Sequence, residues 1–511
     1  MKSFNEKKGH SMTPKYKPNM KRIEREKRTF LKEFSSKYGY NGKIDQIREK
    51  EYPQLNTCVY LDHTGSTVFA KSTVKNFMED LMNNLYGNPH SNSPSSQASS
   101  MRIAGVRKRV LKFFGTNEKD YSIIFTQNAT ASAKLVGEMF PWTKRSCYKY
   151  LRESHNSING LRRFPEQIDA DFQSVSEDEV NSMIKNRNFF ENYDKYDEKK
   201  EEEKVTYNLF AYPAQCNFSG MKFPLNWSQK LRELNTETSK TLVLLDAAAY
   251  VPTSKLSLAN KDASPDFVIL SFYKIFGFPT GLGALIVKNE LAPILKKGYF
   301  GGGTLRTIIH NVPWQTFSND MVVRYEDGTV NFQNIIALDH ALDSMEKLFK
   351  DYKYISNHVQ CLITFLSRSM RSLRHWNGEP VISVNSDRDF SDNKQQGGVF
   401  SFNTTRSDGE EIGYLEVERL ASLNNIHIRS GGLCNPGSIS RWNDIDVEDA
   451  IQHFVHGKVC GDEHDIFNGK KYGAVRLSIG AMTTIEDVLI WLDFFRKYYV
   501  EKKPKAKKFL M

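Results

Sequence analysis

The segment Asp266 to Val287, DFVILSFYKIFGFPTGLGALIV, restricts the fold more than any other part of the chain. An apolar run brings the backbone to Ser271, Lys274 stands three residues further on, and glycines 277, 281 and 283 turn the chain before a second apolar run. Short uninterrupted apolar runs bounded by turn residues fit strands buried on both faces. A lysine at the end of such a strand loses part of its hydration. That lowers its pKa and makes its amine nucleophilic, as an imine-forming lysine must be. A lysine snorkelling from a strand end to water has the same local sequence, and this segment alone does not separate the two.

Other parts of the chain repeat the pattern. YSIIFT leads into ATASAKLVGEMF, which reads as a strand, a small-residue turn and a helix, and VTYNLFAYPAQ and TLVLLDAAAYV follow. Apolar strands spaced by helices and loops imply the α/β class, a mostly parallel sheet covered on both faces, with ligands at the carboxyl ends of its strands. The turn before ATASAK is an anion site by geometry, because free N–H groups and the helix dipole face the loop. Ile103, Val106, Val110, Leu111 and Phe114 share one helical face that stops at Gly115. The helix Gln333–Lys350 is expected to link the large domain to a smaller α+β one. That domain reads as helices near Ile355–Leu373 and Ile412–Leu423, strands at Gly398–Asn403, IHIRSG and AVRLSIG, and a last helix opened by a Thr483/Glu486 capping box.

This gives a basic N-terminal extension over 1–50, expected to be disordered with some helical tendency around Arg22–Tyr38, and order from near Thr57. A large domain follows over 51–350, whose first part can pack with the small domain, then the small domain over 351–500 and a basic tail over 501–511. The charge run DEKKEEEK within Asn186–Lys204 reads as an exposed insertion. The net charge of +11 over 511 residues suggests nucleic acid until it is located. Residues 1–32 carry +8 and 496–508 carry +6, leaving the body near −3, so no specific nucleic-acid partner is expected.

Six cysteines lie scattered without a CxxC pair, which fits a reducing compartment and gives no metal-ligand spacing. No apolar run reaches membrane-spanning length, and the N-terminus lacks the apolar core of a secretion signal. A soluble, cytoplasmic protein is the expectation.

Polar residues recur at the strand ends in a consistent order. Asn128, Ala129 and Thr130 sit where a phosphate would be cradled, His155 follows the next strand, and Asn217 lies in AQCNFSG. Asp246 closes TLVLLD, and Ser271, Tyr273 and Lys274 follow FVIL. A lysine with a strand-terminal aspartate is what pyridoxal phosphate requires, an imine at one end and a carboxylate at the ring nitrogen. Singly, His155 could be a loop histidine, Asp246 a helix cap and Asn217 a turn residue.

The motifs YLDHTGST, FTQNATASAKLVGEMFPW, HNSINGLR, NLFAYPAQCNFSG, LLDAAAYVPTSKLSL, SFYKIFGFPTGLGALIV, YFGGGT, IRSGGLCNPG and NGKKYGAVRLSIGAMTT are the ones that place the chain in a family. From about Thr57 to Tyr499 it resembles the class V, fold-type I pyridoxal-phosphate family of cysteine desulfurases. More narrowly, it resembles the NifS-like domain of eukaryotic molybdenum cofactor sulfurases. The resemblance implies a large domain with a mostly parallel seven-stranded sheet, Lys274 as the lysine bound to the cofactor, and Asp246 as partner of the ring nitrogen. His155 would stack on the ring, Asn217 would approach its hydroxyl, and Ala129, Thr130, Ser271 and Tyr273 would hold the phosphate. Thr304 in YFGGGT would reach the phosphate of the other subunit of a homodimer. Arg476 would pair with the carboxylate of L-cysteine. Cys434, on a glycine-bracketed loop able to swing toward the cofactor, would accept the sulfur as a persulfide and pass it to molybdenum cofactor or a molybdoenzyme.

Three departures bear on these expectations. Gly432 and Ile439 stand where related sulfurases often have cysteines, and Ala249 stands where many desulfurases have Gln. The resemblance does not reach the C-terminal domain with which two-domain sulfurases bind molybdenum cofactor, so a stand-alone sulfurase is expected. A general cysteine desulfurase or another class V lyase or aminotransferase remains an alternative, as does a non-catalytic scaffold with a vestigial cofactor site.

Overall fold

The computed structural model describes residues 16–190, 205–459 and 461–504. Its centre is a seven-stranded sheet: β1 (Tyr121–Thr126), β2 (Cys147–Leu151), β3 (Asp171–Val175), β4 (Thr206–Pro213), β5 (Ser239–Asp246), β6 (Phe267–Ser271) and β7 (Gly283–Lys288). The order across the sheet is β1-β7-β6-β5-β4-β2-β3, with β7 antiparallel to both its neighbours and the other pairings parallel. The expected fold class and strand number are therefore those observed.

Every residue of β6 and β7 is buried, because successive side chains enter opposite cores. Val268, Leu270, Ala284 and Ile286 face one apolar cluster, while Phe267, Ile269, Leu285 and Val287 face the other. An uninterrupted apolar run thus records two covered faces rather than one. The helix Pro94–Phe113 buries Ile103, Val106, Val110 and Leu111 as its periodicity requires, and Gly115 closes the turn after it at a φ of +70°.

The second unit is an antiparallel sheet of β8 (Ile382–Val384), β9 (Val399–Thr405), β10 (Glu411–Ile412), β11 (Arg429–Gly431) and β12 (Ala474–Ser478). The order is β8-β9-β12-β11, with β10 also on β9. Helices Tyr352–Arg371 and Ile485–Tyr499 cover it through one core that includes Leu362, Leu366, Phe402, Trp491 and Phe495. Phe332–Phe349 ends just before them at Lys350, whose φ is +62°. The last helix is opened by a capping box one residue later than the sequence suggested, Thr484 with Asp487. Thr483 is instead buried, its Oγ1 accepting from the N–H of Gly480 at 2.9 Å.

The N-terminal expectation needs correcting. Order begins well before Thr57, since Met20–Phe34 is a helix capped by Asn19, and Ile23 and Phe30 are buried in the core of the small unit. Tyr38 and Tyr40 stack on either side of the buried His358 ring, at 4.9 and 4.8 Å. Val59–Tyr60 then pairs in parallel with Ile426–His427, so residues 16–62 join the small unit before the chain enters the large one. Basic residues on the solvated face outnumber the few apolar anchors, which hides the amphipathic pattern in the composition. Residues 1–15, the charge run DEKKEEEK and residues 505–511 lie outside the described residues. At the start of the expected tail, Glu501 accepts from the N–H of Ser407 at 3.1 Å. Among the described residues no helix is long and apolar enough to cross a membrane.

Candidate active site

The carboxyl ends of β1, β2, β4, β5 and β6 converge on a cavity of about 180 Å³. Its wall contains Asn128, Ala129, Thr130, His155, Asn217, Asp246, Ser271, Tyr273 and Lys274, so nine of the eleven expected non-thiol site residues come together here. The exceptions are Thr304 and Arg476. Lys274 sits in the short helix Phe272–Phe276 that β6 runs into. The turn after it requires glycine: at Gly277 φ is +75°, and a Cβ would lie 2.4 Å from the backbone N of Phe69. The segment around Phe69 closes over the lysine helix only because that atom is missing.

Loss of hydration pushes the Lys274 ammonium pKa below its ordinary value, and Arg476 and Arg429 add to this while Asp246 opposes it. The amine is thereby brought closer to its nucleophilic form. His155 is likewise shifted down by burial, with Lys274 adding to the effect and Asp246 opposing it. Its Nδ1 accepts from the N–H of Ser157 at 3.1 Å, which leaves the proton of the neutral ring on Nε2. The Oδ1 of Asp246 accepts from the N–H of Ala248 at 2.9 Å and fixes the carboxylate at the end of β5.

Asn128 caps the helix Ala129–Met139 by accepting from the N–H of Ala131 at 2.9 Å. Ser271 Oγ accepts from the N–H of Ala129 at 2.9 Å, and Thr130 Oγ1 lies 2.7 Å from Ser157 Oγ. This cluster of hydroxyls and a helix N-terminus has the chemistry of a phosphate cradle. Gly283 admits it, since a Cβ there would lie 2.6 Å from the backbone of Asn128.

Asn217 reaches the cavity, but its side chain also fastens the thiol-bearing loop. Its Nδ2 donates to the carbonyl of Leu433 at 2.7 Å, and its Oδ1 accepts from Asn435 Nδ2 at 2.9 Å. One N–H remains for a ring hydroxyl. The carbonyl of Cys434 accepts from the N–H of Asn156 at 2.8 Å, beside His155, and the Cys434 side chain is exposed. The loop expected to be able to swing toward the cofactor is fastened in this conformation. Asn435 is fully buried and donates to the carbonyl of Glu153 at 2.9 Å, and Leu433 and Cys434 both hold a φ of +53°. The loop is a pinned, tight turn because its anchor is a buried amide supplied by the neighbouring residue.

Arg476 lies just outside the cavity wall. Its guanidinium donates to the carbonyl of Asn217 at 2.9 Å and to Asp62 at 2.8 Å, while Arg429 donates to the other Asp62 oxygen at 2.8 Å. Asp62 and Arg429 are site residues that sequence reasoning missed, although both lie in motifs it singled out, YLDHTGST and IRSGGLCNPG. Gln215 was also missed. It is 2 % exposed, lines the cavity, and has an Oε1 without a partner among the described residues. Thr304 is buried away from the cavity, its Oγ1 donating to the carbonyl of Gly301 at 2.9 Å.

The donor set fits pyridoxal phosphate: a desolvated amine, a fixed carboxylate, a phosphate cradle and an orphaned buried acceptor in one cavity. Among the described residues no group of three or more His, Cys, Asp or Glu side chains is placed to hold a metal.

Comparison with known proteins identifies the family. The sequence profile of the family Aminotransferase class-V matches residues 59–490. The chain is 41% identical over 470 residues to a molybdenum cofactor sulfurase of Bos taurus, covering 89% of this chain and 52% of that protein. It is 37% identical to one of Oryza sativa subsp. japonica, covering 94% and 61%. The chain thus spans about half the length of these relatives. Among solved structures, an apo cysteine desulfurase from Thermococcus onnurineus NA1 superposes with a TM-score of 0.68 at 18% identity, covering 89% of this chain and 98% of that one. The Escherichia coli cysteine desulfurase CsdA gives 0.66 at 14%, covering 89% and 98%. At those identities the likeness is one of fold.

Proposed function

The chain belongs to the Aminotransferase class-V family, and from its cavity we propose that it is a pyridoxal-phosphate L-cysteine desulfurase that forms a persulfide on Cys434. The observation that carries this reading is the 2.8 Å bond from the N–H of Asn156 to the Cys434 carbonyl, which ties an exposed thiol to the rim of the Lys274 cavity.

Pyridoxal phosphate supplies, when bound, an electron sink that loosens bonds around the substrate Cα. Lys274 would hold the cofactor, and its amine would move the proton at the substrate Cα. Asp246 would present its carboxylate to the ring nitrogen, His155 would lie against the ring, and the hydroxyls of Thr130 and Ser271 with the helix N-terminus would hold the phosphate. Arg476 takes the substrate carboxylate in a paired contact that only a planar guanidinium makes. The Cys434 thiolate then attacks the substrate sulfur. An S–S bond forms, the Cβ–S bond breaks and Cβ takes up a proton, so cysteine and thiol become alanine and persulfide without an outside oxidant or reductant.

The relatives' name, molybdenum cofactor sulfurase, supports molybdenum cofactor or a molybdoenzyme as the acceptor of that sulfur. A homodimer is proposed as the working state. Its support is an exposed apolar surface near Thr304, with Tyr299, Ile308, Ile309, Val312 and Trp314 each at least 44 % exposed. Thr304 is the residue that would serve the partner's phosphate.

Alanine release from L-cysteine tests the enzyme. Cys434→Ala is expected to abolish it while the visible absorbance of the lysine-bound cofactor persists, and Lys274→Ala to abolish both. Alanine release that survives Cys434→Ala would instead favour a lyase acting without this thiol. Sulfuration of a desulfo molybdoenzyme by the protein and cysteine tests the acceptor.

A further inference from the structure

Beside the catalytic cavity lies a second one of about 470 Å³, within the range of ligand sites. Two segments line both. The chain after β4 carries Gln215 and Asn217 into the first and Lys222 into the second, and the chain after β5 carries Ala248 into the first and Tyr250 into the second.

The second cavity is cationic. Lys222, Lys255, Lys394 and Arg388 line it against one carboxylate, Glu177, which already pairs with Arg388. Lys222 is only 8 % exposed, yet its Nζ meets neutral acceptors, donating to Ser254 Oγ at 2.8 Å and to the carbonyl of Asn393 at 2.5 Å. One of its three N–H donors remains for a ligand. Burial pushes its pKa down to about 8, with the more distant charge of Asp392 opposing. A buried ammonium without a bound counter-ion is unfavourable to the fold, and an anion in the cavity removes that penalty. The Nζ also lies 5.1 Å from the centre of the Tyr250 ring, and Phe223 lines the same cavity. An anion on Lys222 therefore has the half-buried Tyr250 ring beside it.

We propose that this cavity binds a phosphorylated heteroaromatic, a pterin or purine monophosphate, with its phosphate on Lys222, Lys255 and Lys394 and its ring against Tyr250. A pterin monophosphate is the chemistry of the molybdenum cofactor, so the pterin arm rests on that cofactor being the sulfur acceptor, whereas the purine arm does not.

Calorimetric titration of the full chain loaded with pyridoxal phosphate tests the site, with neopterin monophosphate, guanosine monophosphate, guanosine and inorganic phosphate as probes. One of the two ring monophosphates is expected to bind one-to-one with a Kd below about 100 μM, and guanosine and phosphate at least about tenfold more weakly. The stronger monophosphate identifies the source. Lys222→Met is expected to weaken it at least about tenfold. The surface pair Lys255→Ala and Lys394→Ala should weaken it about threefold or more and leave alanine release unchanged. No binding of either monophosphate at millimolar concentration, or binding indifferent to Lys222→Met and to the surface pair, overturns the proposal and leaves Lys222 a structural tie to Asn393. Alanine release is a separate readout, so its absence alongside intact ring binding would sink the desulfurase reading and not this one.

Discussion

The carboxylate of Asp62 stands 2.8 Å from the guanidinium of Arg476, although 414 residues separate them in the chain. Its second oxygen holds Arg429, also at 2.8 Å. A single aspartate thus fixes the arginine proposed to bind the substrate carboxylate and balances another beside Lys274. Asp62→Asn is expected to raise the KM for cysteine about tenfold, a loss of about 1.4 kcal/mol, with a smaller effect on kcat. Steady-state alanine release measures both, and an unchanged KM would remove Asp62 from the positioning of Arg476.

Asn435 is the pin of the thiol loop, bonded to the Glu153 carbonyl and to Asn217. Replacing it with alanine leaves those acceptors unpaired and frees Leu433 and Cys434 from their left-handed backbone, which costs on the order of 1–3 kcal/mol per residue to hold. Asn435→Ala should lower kcat for alanine release at least about tenfold while cofactor affinity, followed by absorbance, stays near normal. Wild-type kcat in this variant would mean that the thiol works from a mobile loop after all.

Phe30 is fully buried between Phe34, Tyr38 and Phe365, with ring centres 4.9 to 5.3 Å apart. Phe30→Ala is expected to destabilise the protein by about 3–5 kcal/mol, seen as a lower denaturant midpoint. An unaltered midpoint would return the N-terminal helix to the status of an appendage.

Burial holds His63 and His358 neutral, each with its pKa pushed down to about 3. Both are depressed below the ordinary histidine value of about 6.5, so the unfolded chain takes up protons first. Stability they contribute is complete above that value and is lost as pH falls from there toward 3, by up to about 1.4 kcal/mol per pH unit for each. Thermal melting between pH 7 and 5 should show this decline, and His358→Gln should shrink it. A melting temperature flat across that range would contradict the burial of these rings.

Trp314 is 50 % exposed and Ile308 48 % exposed on a two-stranded ribbon next to Thr304. Ile308→Asp with Trp314→Asp is expected to convert the proposed dimer to monomers in sedimentation and to weaken cofactor retention by removing the proposed contact from the other subunit's Thr304. A variant that sediments like the parent would place the dimer interface elsewhere.

The sequence by itself determined the large sheet and most of the cavity. Strands buried on both faces must be apolar throughout, so the runs ending at Thr126, Asp246 and Ser271 were visible, and polar residues at those ends fall on one edge of a parallel sheet. Tertiary structure alone decided the rest. The N-terminal helix is held by partners near the far end of the chain, and its two buried anchors are too few to stand out among basic residues. Asp62 and Arg429 meet across 367 residues, and no local pattern encodes an ion pair of that span. The glycines around Cys434 suggested mobility, but the loop is set by Asn435, whose buried amide finds its acceptors on segments that only the folded chain brings near.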